Sequence, residues 1–137
     1  MRARAKILFV DDSSDNRLIL RTILEDDYDL VEAATVVTAL QLMADEKFDL
    51  VISDMLIQES NGLELVEAMR HRGNSTTGTP GETPFILLTR PEGIGFRERV
   101  LAAGANDYQA KPIVDMASFF ERIERWLPDH LKAGRRT

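Results

Sequence analysis

Acidic, hydroxyl and basic side chains follow short apolar segments at several points of this chain. In chain order they are Asp11, Asp12, Asp54, Thr89 and Lys111. Three carboxylates, a hydroxyl and an ammonium group form a set that can hold a divalent cation and a phosphoryl group. This chemistry requires that the segments preceding these residues meet at one edge of a sheet.

The acidic residues have two possible tasks at such a site. Mg²⁺ takes oxygen ligands and is usually held by one or two carboxylates, so Asp11, Asp12 and Asp54 are its candidate ligands. Crowded carboxylates repel one another, and a cation relieves that repulsion. A carboxylate can also form an acyl phosphate, and Asp54, alone at the end of its segment, is the candidate nucleophile. Lys111 and the Thr89 hydroxyl would then bind the phosphoryl oxygens.

The segments that position these groups predict an α/β fold. Short apolar runs separated by helical stretches are typical of parallel strands covered on both faces. We expect strands at about 6–11, 29–33, 49–54, 84–89 and 107–110, and helices at about 15–26, 36–46, 62–71, 93–103 and 115–127. Right-handed crossovers make this (βα)₅ order a doubly wound, flavodoxin-like parallel sheet, for which we expect strand order 2-1-3-4-5. That order places the strands before Asp11 and Asp54 side by side, at the edge where ligands bind.

Helical spacing predicts which side chains face the core. The expected inward residues are Leu18, Ile19, Thr22 and Ile23, then Val36, Val37, Leu40 and Met43, then Leu63, Val66 and Met69, and finally Met116, Phe119, Phe120, Ile123 and Leu127. Residues 73–83 are rich in Gly, Ser, Thr and Pro and predict a flexible loop that adds nothing to the core. Pro91, Gly93 and Gly95 predict a weak first turn in the fourth helix. Gly104 is the expected cap at its end.

Length and composition predict one soluble globular domain. The chain has 137 residues, with a core at about 6–127 and a C-terminal tail at 128–137. The formal net charge of −6 disfavours binding to nucleic acid and to anionic membranes. Cysteine is absent, which excludes disulfides and thiol chemistry. The apolar runs are too short to span a bilayer and the start does not resemble a signal peptide, so we expect a cytoplasmic protein. As a separate expectation, the protein is a monomer or a weak dimer.

The motifs together resemble the receiver domain of two-component response regulators. The resemblance is carried by Val10-Asp11-Asp12-Ser13, by Asp54 with Gly62 eight residues later, by Leu88-Thr89, by Gly104-Ala105-Asn106-Asp107-Tyr108, and by Lys111-Pro112. Each motif alone is weak, but their order and spacing are specific. The resemblance covers about residues 6–127.

This resemblance implies a metal site and a phosphoacceptor. Asp12 would bind Mg²⁺ directly, Asp11 would bind it largely through water, and the backbone carbonyl of Leu56 would complete the site with Asp54. Asp54 would accept a phosphoryl group from a histidine kinase or a histidine phosphotransfer protein. The protein would then be a signalling switch, not an enzyme beyond its own phosphorylation and dephosphorylation.

The resemblance also implies how the switch works. Lys111 would contact the phosphoryl group, Thr89 would swing toward it, and Tyr108 would follow inward. The face formed by the fourth helix, fifth strand and fifth helix would change and be read by a protein partner. The Lys111–Pro112 peptide is expected to be cis. Arg90 stands where the family usually has a small residue, so we hypothesise that it gates the site.

Other interpretations of the same residues remain open. Asp11 and Asp12, taken alone, are more typical of a helix cap and a solvated turn. A small phosphatase with an aspartyl-phosphate intermediate would also place a carboxylate at a strand end. That class usually has a second aspartate two residues after the nucleophile in its first strand, where this chain has Ser13, and a cap segment, for which no sequence is present.

Overall fold

The computed structural model describes residues 4–57, 60–71, 78–90 and 94–132. The strands of the main sheet are β1 Lys6–Val10, β2 Asp29–Ala33, β3 Leu50–Asp54, β4 Phe85–Thr89 and β5 Asp107–Ala110. The α-helices are α1 Ser14–Leu24, α2 Val36–Asp45, α3 Gly62–His71, α4 Phe96–Ala102 and α5 Met116–Arg125. A two-residue antiparallel pair, Leu56–Ile57 with Ser60–Asn61, lies between β3 and α3, and a 3₁₀ turn, Asp129–Leu131, follows α5.

The five strands form one parallel sheet with the order β2-β1-β3-β4-β5. Val10 pairs with Ser53, Asp54 with Leu88, and Thr89 with Ala110. The carboxyl ends of the strands are therefore aligned along one edge. The predicted α/β class, strand order and approximate strand positions are confirmed.

Helices cover both faces of the sheet because alternate strand residues point to opposite sides. Leu8 and Val10 belong to the core on one face, whereas Ile7 and Phe9 belong to the core on the other. All four are at most 1% exposed. Burial on both faces explains why the strand is apolar throughout, without polar alternation.

Side-chain caps fix the start of four helices, including α3, where the Asn61 side chain accepts a hydrogen bond from the Glu64 N–H at 2.9 Å. Ser13 accepts a hydrogen bond from the Asn16 N–H at the start of α1, and Thr35 and Asp115 cap α2 and α5 in the same way. Such caps satisfy backbone donors that have no partner inside the helix. The fourth helix differs, because Gly95 precedes it with φ 79° and makes no side-chain cap bond.

Helix α4 is shorter than the sequence predicts. It begins at Phe96, whereas the expected start was near residue 93. Residues 91–93, on which part of the expectation of a weak first turn rested, lie outside the described residues. The end is as expected: Gly104 follows with φ 115°, a backbone geometry that other residues rarely adopt.

The predicted inner face of α1 is wrong. Leu18 and Ile19 are 53% and 57% exposed, and Thr22 is exposed as well, whereas Leu20 and Leu24 are buried. This helix carries apolar residues on more than one side, so spacing alone did not identify the side that packs. Ile23 is partly buried, as expected.

Two further inward assignments are wrong, for the same reason. Val37 is 65% exposed while Ala39 takes the buried position in α2, and Met116 at the start of α5 is 40% exposed. The remaining assignments are confirmed as buried or partly buried: Val36, Leu40, Met43, Leu63, Val66, Met69, Phe119, Phe120, Ile123 and Leu127.

The described part of the 73–83 loop is packed, contrary to expectation. Thr79 has no exposed surface; its hydroxyl accepts a hydrogen bond from the Phe48 N–H and donates one to the carbonyl of Glu46. The Thr79 N–H also donates to the carbonyl of Met43. This threonine satisfies backbone groups at the end of α2 that the helix leaves open. Residues 73–77 and 133–137, the second half of the predicted tail, lie outside the described residues.

No helix within the described ranges is both long and apolar enough to cross a membrane.

Candidate phosphoryl-transfer site

The carboxyl edge of the sheet forms a cavity of about 200 Å³. Its described lining residues are Asp54, Met55, Leu56, Thr89, Arg90, Phe96 and Lys111. They come from the ends of β3, β4 and β5 and from the start of α4. The structure thus brings Asp54, Thr89 and Lys111 together, as their positions at strand ends predict.

Asp54 and Lys111 are in direct contact. The Lys111 Nζ donates to the Asp54 Oδ1 at 2.7 Å, and the Asp54 side chain is only 9% exposed. The backbone of Lys111 is anchored because its N–H donates to the carbonyl of Thr89 at 2.9 Å. The Lys111–Pro112 peptide is cis, as expected. The ammonium group therefore lies beside the carboxylate that would carry a phosphoryl group.

Asp11 directly follows β1 and is buried, with 2% of its surface exposed. Its Oδ1 accepts a hydrogen bond from the Ser13 N–H at 2.9 Å, and its Oδ2 accepts one from the Asn16 side chain at 3.2 Å. Burial raises the pKa of Asp11 above its ordinary value, and the charge of Asp54 raises the pKa further. The hydrogen bonds and the charge of Lys111 act in the opposite direction. The balance leaves a carboxylate that a nearby cation would stabilise.

The expected magnesium ligands differ in how far they are buried. Asp11 and Asp54 are buried and close enough for their charges to interact, whereas Asp12 is exposed. Across the described residues, no group of three or more His, Cys, Asp or Glu side chains is arranged to hold a metal ion. Mg²⁺ keeps several waters and is usually held by one or two carboxylates, with phosphate oxygens in many sites. The donor set therefore fits a hydrated ion better than a cage made only of side chains.

Of the two predicted switch residues, Thr89 lines the cavity and Tyr108 does not. Thr89 is buried, and its hydroxyl donates to the carbonyl of Arg90 at 3.4 Å, a long contact. Tyr108 is half-buried, and its ring meets the ring of Phe96 edge to face, with centroids 5.2 Å apart. Sequence reasoning missed Phe96; the available signal was a lone aromatic residue directly after a glycine at the start of a predicted helix.

Gly62 has a structural reason to be glycine. A Cβ at this position would lie 2.7 Å from the carbonyl oxygen of Asp54 and 2.5 Å from the Leu87 Cδ1. The Gly62 N–H donates to the carbonyl of Met55 at 2.8 Å. The absent side chain lets the start of α3 approach the end of β3 and fixes the backbone around Asp54.

Asp11→Asn is expected to stabilise the protein when Mg²⁺ is absent. Because the pKa of Asp11 is raised in the folded state, this side chain favours folding most when it is protonated. Its favourable contribution to the free energy of unfolding is fully present below pH 3.8, the ordinary pKa, and is lost as the pH rises through the folded-state pKa. At neutral pH the buried carboxylate therefore costs stability, and Asn removes that cost. Urea unfolding should show the variant more stable at neutral pH, with the difference shrinking as the pH falls. A variant less stable than wild type at neutral pH would contradict this expectation.

The chain belongs to the response regulator receiver domain family, which it matches over residues 7–124. It is a receiver domain of two-component signalling, with the flavodoxin-like fold of that family. The chemotaxis protein CheY4 of Vibrio cholerae is a similar solved structure, with a TM-score of 0.78 and 30% identity, covering 91% of this chain and 100% of that one.

Two curated relatives illustrate how this domain occurs. A 14.6 kDa protein from the sodA1 3′ region of Leptolyngbya boryana is 37% identical over 81% of this chain and 82% of its own length. The sensor histidine kinase GacS of Pseudomonas protegens is 34% identical over 79% of this chain but only 12% of its own length. Other curated relatives are also longer, and this chain spans between 9% and 44% of them.

Proposed function

We propose that this receiver domain is a phosphoacceptor switch in which Asp54 takes a phosphoryl group from a phosphohistidine. The carrying observation is the contact between the Asp54 carboxylate and the Lys111 ammonium, inside a cavity at the carboxyl edge of the sheet. The lysine holds positive charge where a phosphoryl group on Asp54 would place negative charge. Family membership supports the same reaction.

In the transfer step, an oxygen of Asp54 attacks phosphorus as the P–N bond of the phosphohistidine breaks. The electron pair of that bond returns to the imidazole, which takes up a proton on leaving. Lys111 then exchanges its contact with the carboxylate for contacts with the phosphoryl oxygens, and the Thr89 hydroxyl leaves the Arg90 carbonyl to donate to one of them. Hydrolysis of the acyl phosphate by water restores the carboxylate and releases inorganic phosphate.

Asp11, Asp12, Asp54 and the Leu56 carbonyl would hold Mg²⁺ in this proposal. The bound ion supplies positive charge for the phosphoryl oxygens and offsets the repulsion between the carboxylates. Asp11 is held by Ser13 and Asn16 and would orient the site, whereas the exposed Asp12 would contact the hydrated ion. Asp12→Ala should retain the fold but lose Mg²⁺-dependent labelling by acetyl phosphate.

The proposed donor is a histidine kinase or a histidine phosphotransfer protein. The similarity to part of GacS, whose name describes a sensor histidine kinase, supports this class of donor. The proposed readout is a protein partner that binds the face of α4, β5 and α5. Tyr108 lies in that face and packs against α4 through Phe96, so movement at the phosphoryl site can reach it.

Incubation with acetyl phosphate and Mg²⁺ tests the proposal. The protein should gain one phosphoryl group that is lost at high pH, as acyl phosphates are, and labelling should require Mg²⁺. The alternative, a small phosphatase with the same intermediate, predicts sustained turnover of small phosphate esters such as p-nitrophenyl phosphate. Absence of labelling would refute the switch, and rapid multiple turnover of the ester would favour the phosphatase.

Arg90→Ala is expected to change the kinetics of phosphorylation without loss of folding. Arg90 is exposed, lines the cavity and follows Thr89, so its side chain is placed to obstruct small donors or to pair with the bound phosphoryl group. The labelling rate with acetyl phosphate, or the lifetime of the phosphorylated form, should change severalfold. The exposed Arg97 of α4 provides the matched control, Arg97→Ala, which should behave as wild type. Equal rates in all three proteins would show that Arg90 is only a surface residue.

A further inference from the structure

Phe96 connects the phosphoryl cavity with Tyr108. Its side chain is 8% exposed and lines the same cavity as Asp54, Thr89 and Lys111. Its ring meets the Tyr108 ring edge to face, with centroids 5.2 Å apart and planes at 88°. Tyr108 is not one of the described residues that line this cavity. Phe96 therefore touches both the reaction site and the aromatic residue outside it.

We propose that Phe96 is a positioning residue for phosphoryl transfer, which closes the apolar wall of the cavity and holds Tyr108 outside it through the ring pair. The inference rests on the proposed function. For Tyr108 to approach Thr89, its ring must leave Phe96 or the two rings must move together. Edge-to-face pairs are favourable beyond the area that they bury. The pair therefore biases the unphosphorylated protein against the inward position of Tyr108.

The local structure makes Phe96 the main anchor at the start of α4. Gly95 provides no side-chain cap, and the Arg99 guanidinium lies 5.6 Å from the centroid of the Phe96 ring. Arg99 also donates to the carbonyl of Ile94 at 3.1 Å. The first turn is thus fastened by contacts of the Phe96 ring and of Arg99 in place of a cap. Such a start can be released without unfolding the sheet.

The proposal predicts the direction of a kinetic change. Phe96→Leu keeps an apolar side chain but removes the ring, so Tyr108 is released and the resting state is no longer favoured. Labelling by acetyl phosphate should become faster by about 2- to 10-fold, the range expected for loss of one aromatic pair. Phe96→Tyr keeps the ring and should restore the wild-type rate.

Fluorine NMR of protein labelled with 3-fluorotyrosine reports on the ring pair directly. The chain has 2 tyrosines, and Tyr28 is 1% exposed, so it serves as an internal reference away from α4. In the unphosphorylated protein, Phe96→Leu should move the Tyr108 signal and leave the Tyr28 signal in place. The matched control is Met43→Ala, which removes a buried side chain from α2, a helix that packs on α3, β1 and β2. It should lower stability while leaving the Tyr108 signal and the labelling rate near wild type.

Three results would overturn the proposal. They are an unmoved Tyr108 signal in Phe96→Leu, a moved signal with an unchanged labelling rate, and a Met43→Ala protein that is accelerated as much as Phe96→Leu. If Phe96→Leu does not fold, Phe96→Met replaces it in the same measurements. Failure of the proposed function would look different, because wild-type protein would then remain unlabelled or Asp54→Asn would be labelled.

Discussion

Asp54→Asn should reduce phosphorylation by acetyl phosphate to the background level while leaving the fold intact. The amide keeps the shape of the side chain and can still accept a hydrogen bond from Lys111, which lies 2.7 Å away in the wild type. It has no negative charge and is not a nucleophile for phosphorus, so no acyl phosphate can form. Removal of the charge also ends the repulsion that raises the pKa of Asp11. The variant should therefore be at least as stable as wild type without Mg²⁺.

Intact-mass measurement, before and after brief exposure to high pH, checks this prediction. The control is Asp26→Asn, which neutralises an exposed carboxylate after α1 and should be labelled like wild type. If Asp54→Asn gains a phosphoryl group as readily as wild type, the acceptor is another residue. Asp11 and Asp12 would then be the first to examine by peptide mapping.

The sheet could be predicted from the sequence because its strands are buried on both faces. In the strand Leu50–Asp54 every residue is buried, and its first three residues are apolar. Its first polar side chain available to a ligand then marks the carboxyl end. For this reason the same pattern that located the strands also located Asp54, Thr89 and Lys111.

The helix faces and the loop could not be predicted as well because they depend on contacts distant in sequence. Helix α1 offers apolar residues on two sides, and only its packing on the sheet selects Leu20 and Leu24 over Leu18 and Ile19. Thr79 is a residue type that is common in loops. It is nevertheless buried, because it forms hydrogen bonds with backbone groups of residues 43–48. Neither local propensity nor periodicity contains that information.

The sequence indicated which polar side chains lie at the strand ends, but not how exposed each of them is. The identity of the charged groups follows from their positions at strand ends, whereas their exposure does not. Asp12 is exposed and Asp11 is buried, although both follow the same strand. No sequence motif predicted that Phe96 lines the cavity, because its position depends on where α4 begins.

Arg70 is another residue whose importance only the structure reveals. It lies in the last turn of α3, where a basic side chain is often only a favourable partner of the helix dipole. Here its guanidinium donates hydrogen bonds to the carbonyls of Gly81, Thr83 and Gly104 and to the side chain of Asn106. Desolvation by burial lowers its pKa. One side chain therefore joins α3, the loop before β4 and the loop before β5.

The neighbours of Arg70 show why this position requires arginine and not lysine. A Cβ at Gly104 would lie 3.1 Å from the Arg70 Cγ, so glycine leaves the space in which the arginine lies. The Asn106 side-chain oxygen accepts from Arg70 at 2.8 Å and from the Phe85 N–H at 2.9 Å, which ties the cluster to the first residue of β4. A lysine has only a compact ammonium group and cannot reproduce the planar fork that reaches several acceptors.

Arg70→Met should lower the free energy of unfolding by about 2–4 kcal/mol. Methionine retains the packing of the aliphatic stem, but three carbonyls and the Asn106 oxygen lose a charged donor. Partly buried acceptors left without a partner are costly, and a broken network is one of the few changes that produce effects of this size. Arg70→Lys should fall between wild type and Arg70→Met. Urea unfolding of the three proteins gives the order.

The control is Arg97→Met, which removes an exposed arginine from α4 and should alter stability by no more than about 0.5 kcal/mol. Because Arg70 lies at the amino edge of the sheet, opposite the phosphoryl site, the labelling rate of folded Arg70→Met should remain close to wild type. If Arg70→Met is no less stable than Arg97→Met, the cluster exchanges readily with water and does not hold the two loops. If labelling is lost while the fold persists, the amino edge is coupled to Asp54 in a way that these contacts do not explain.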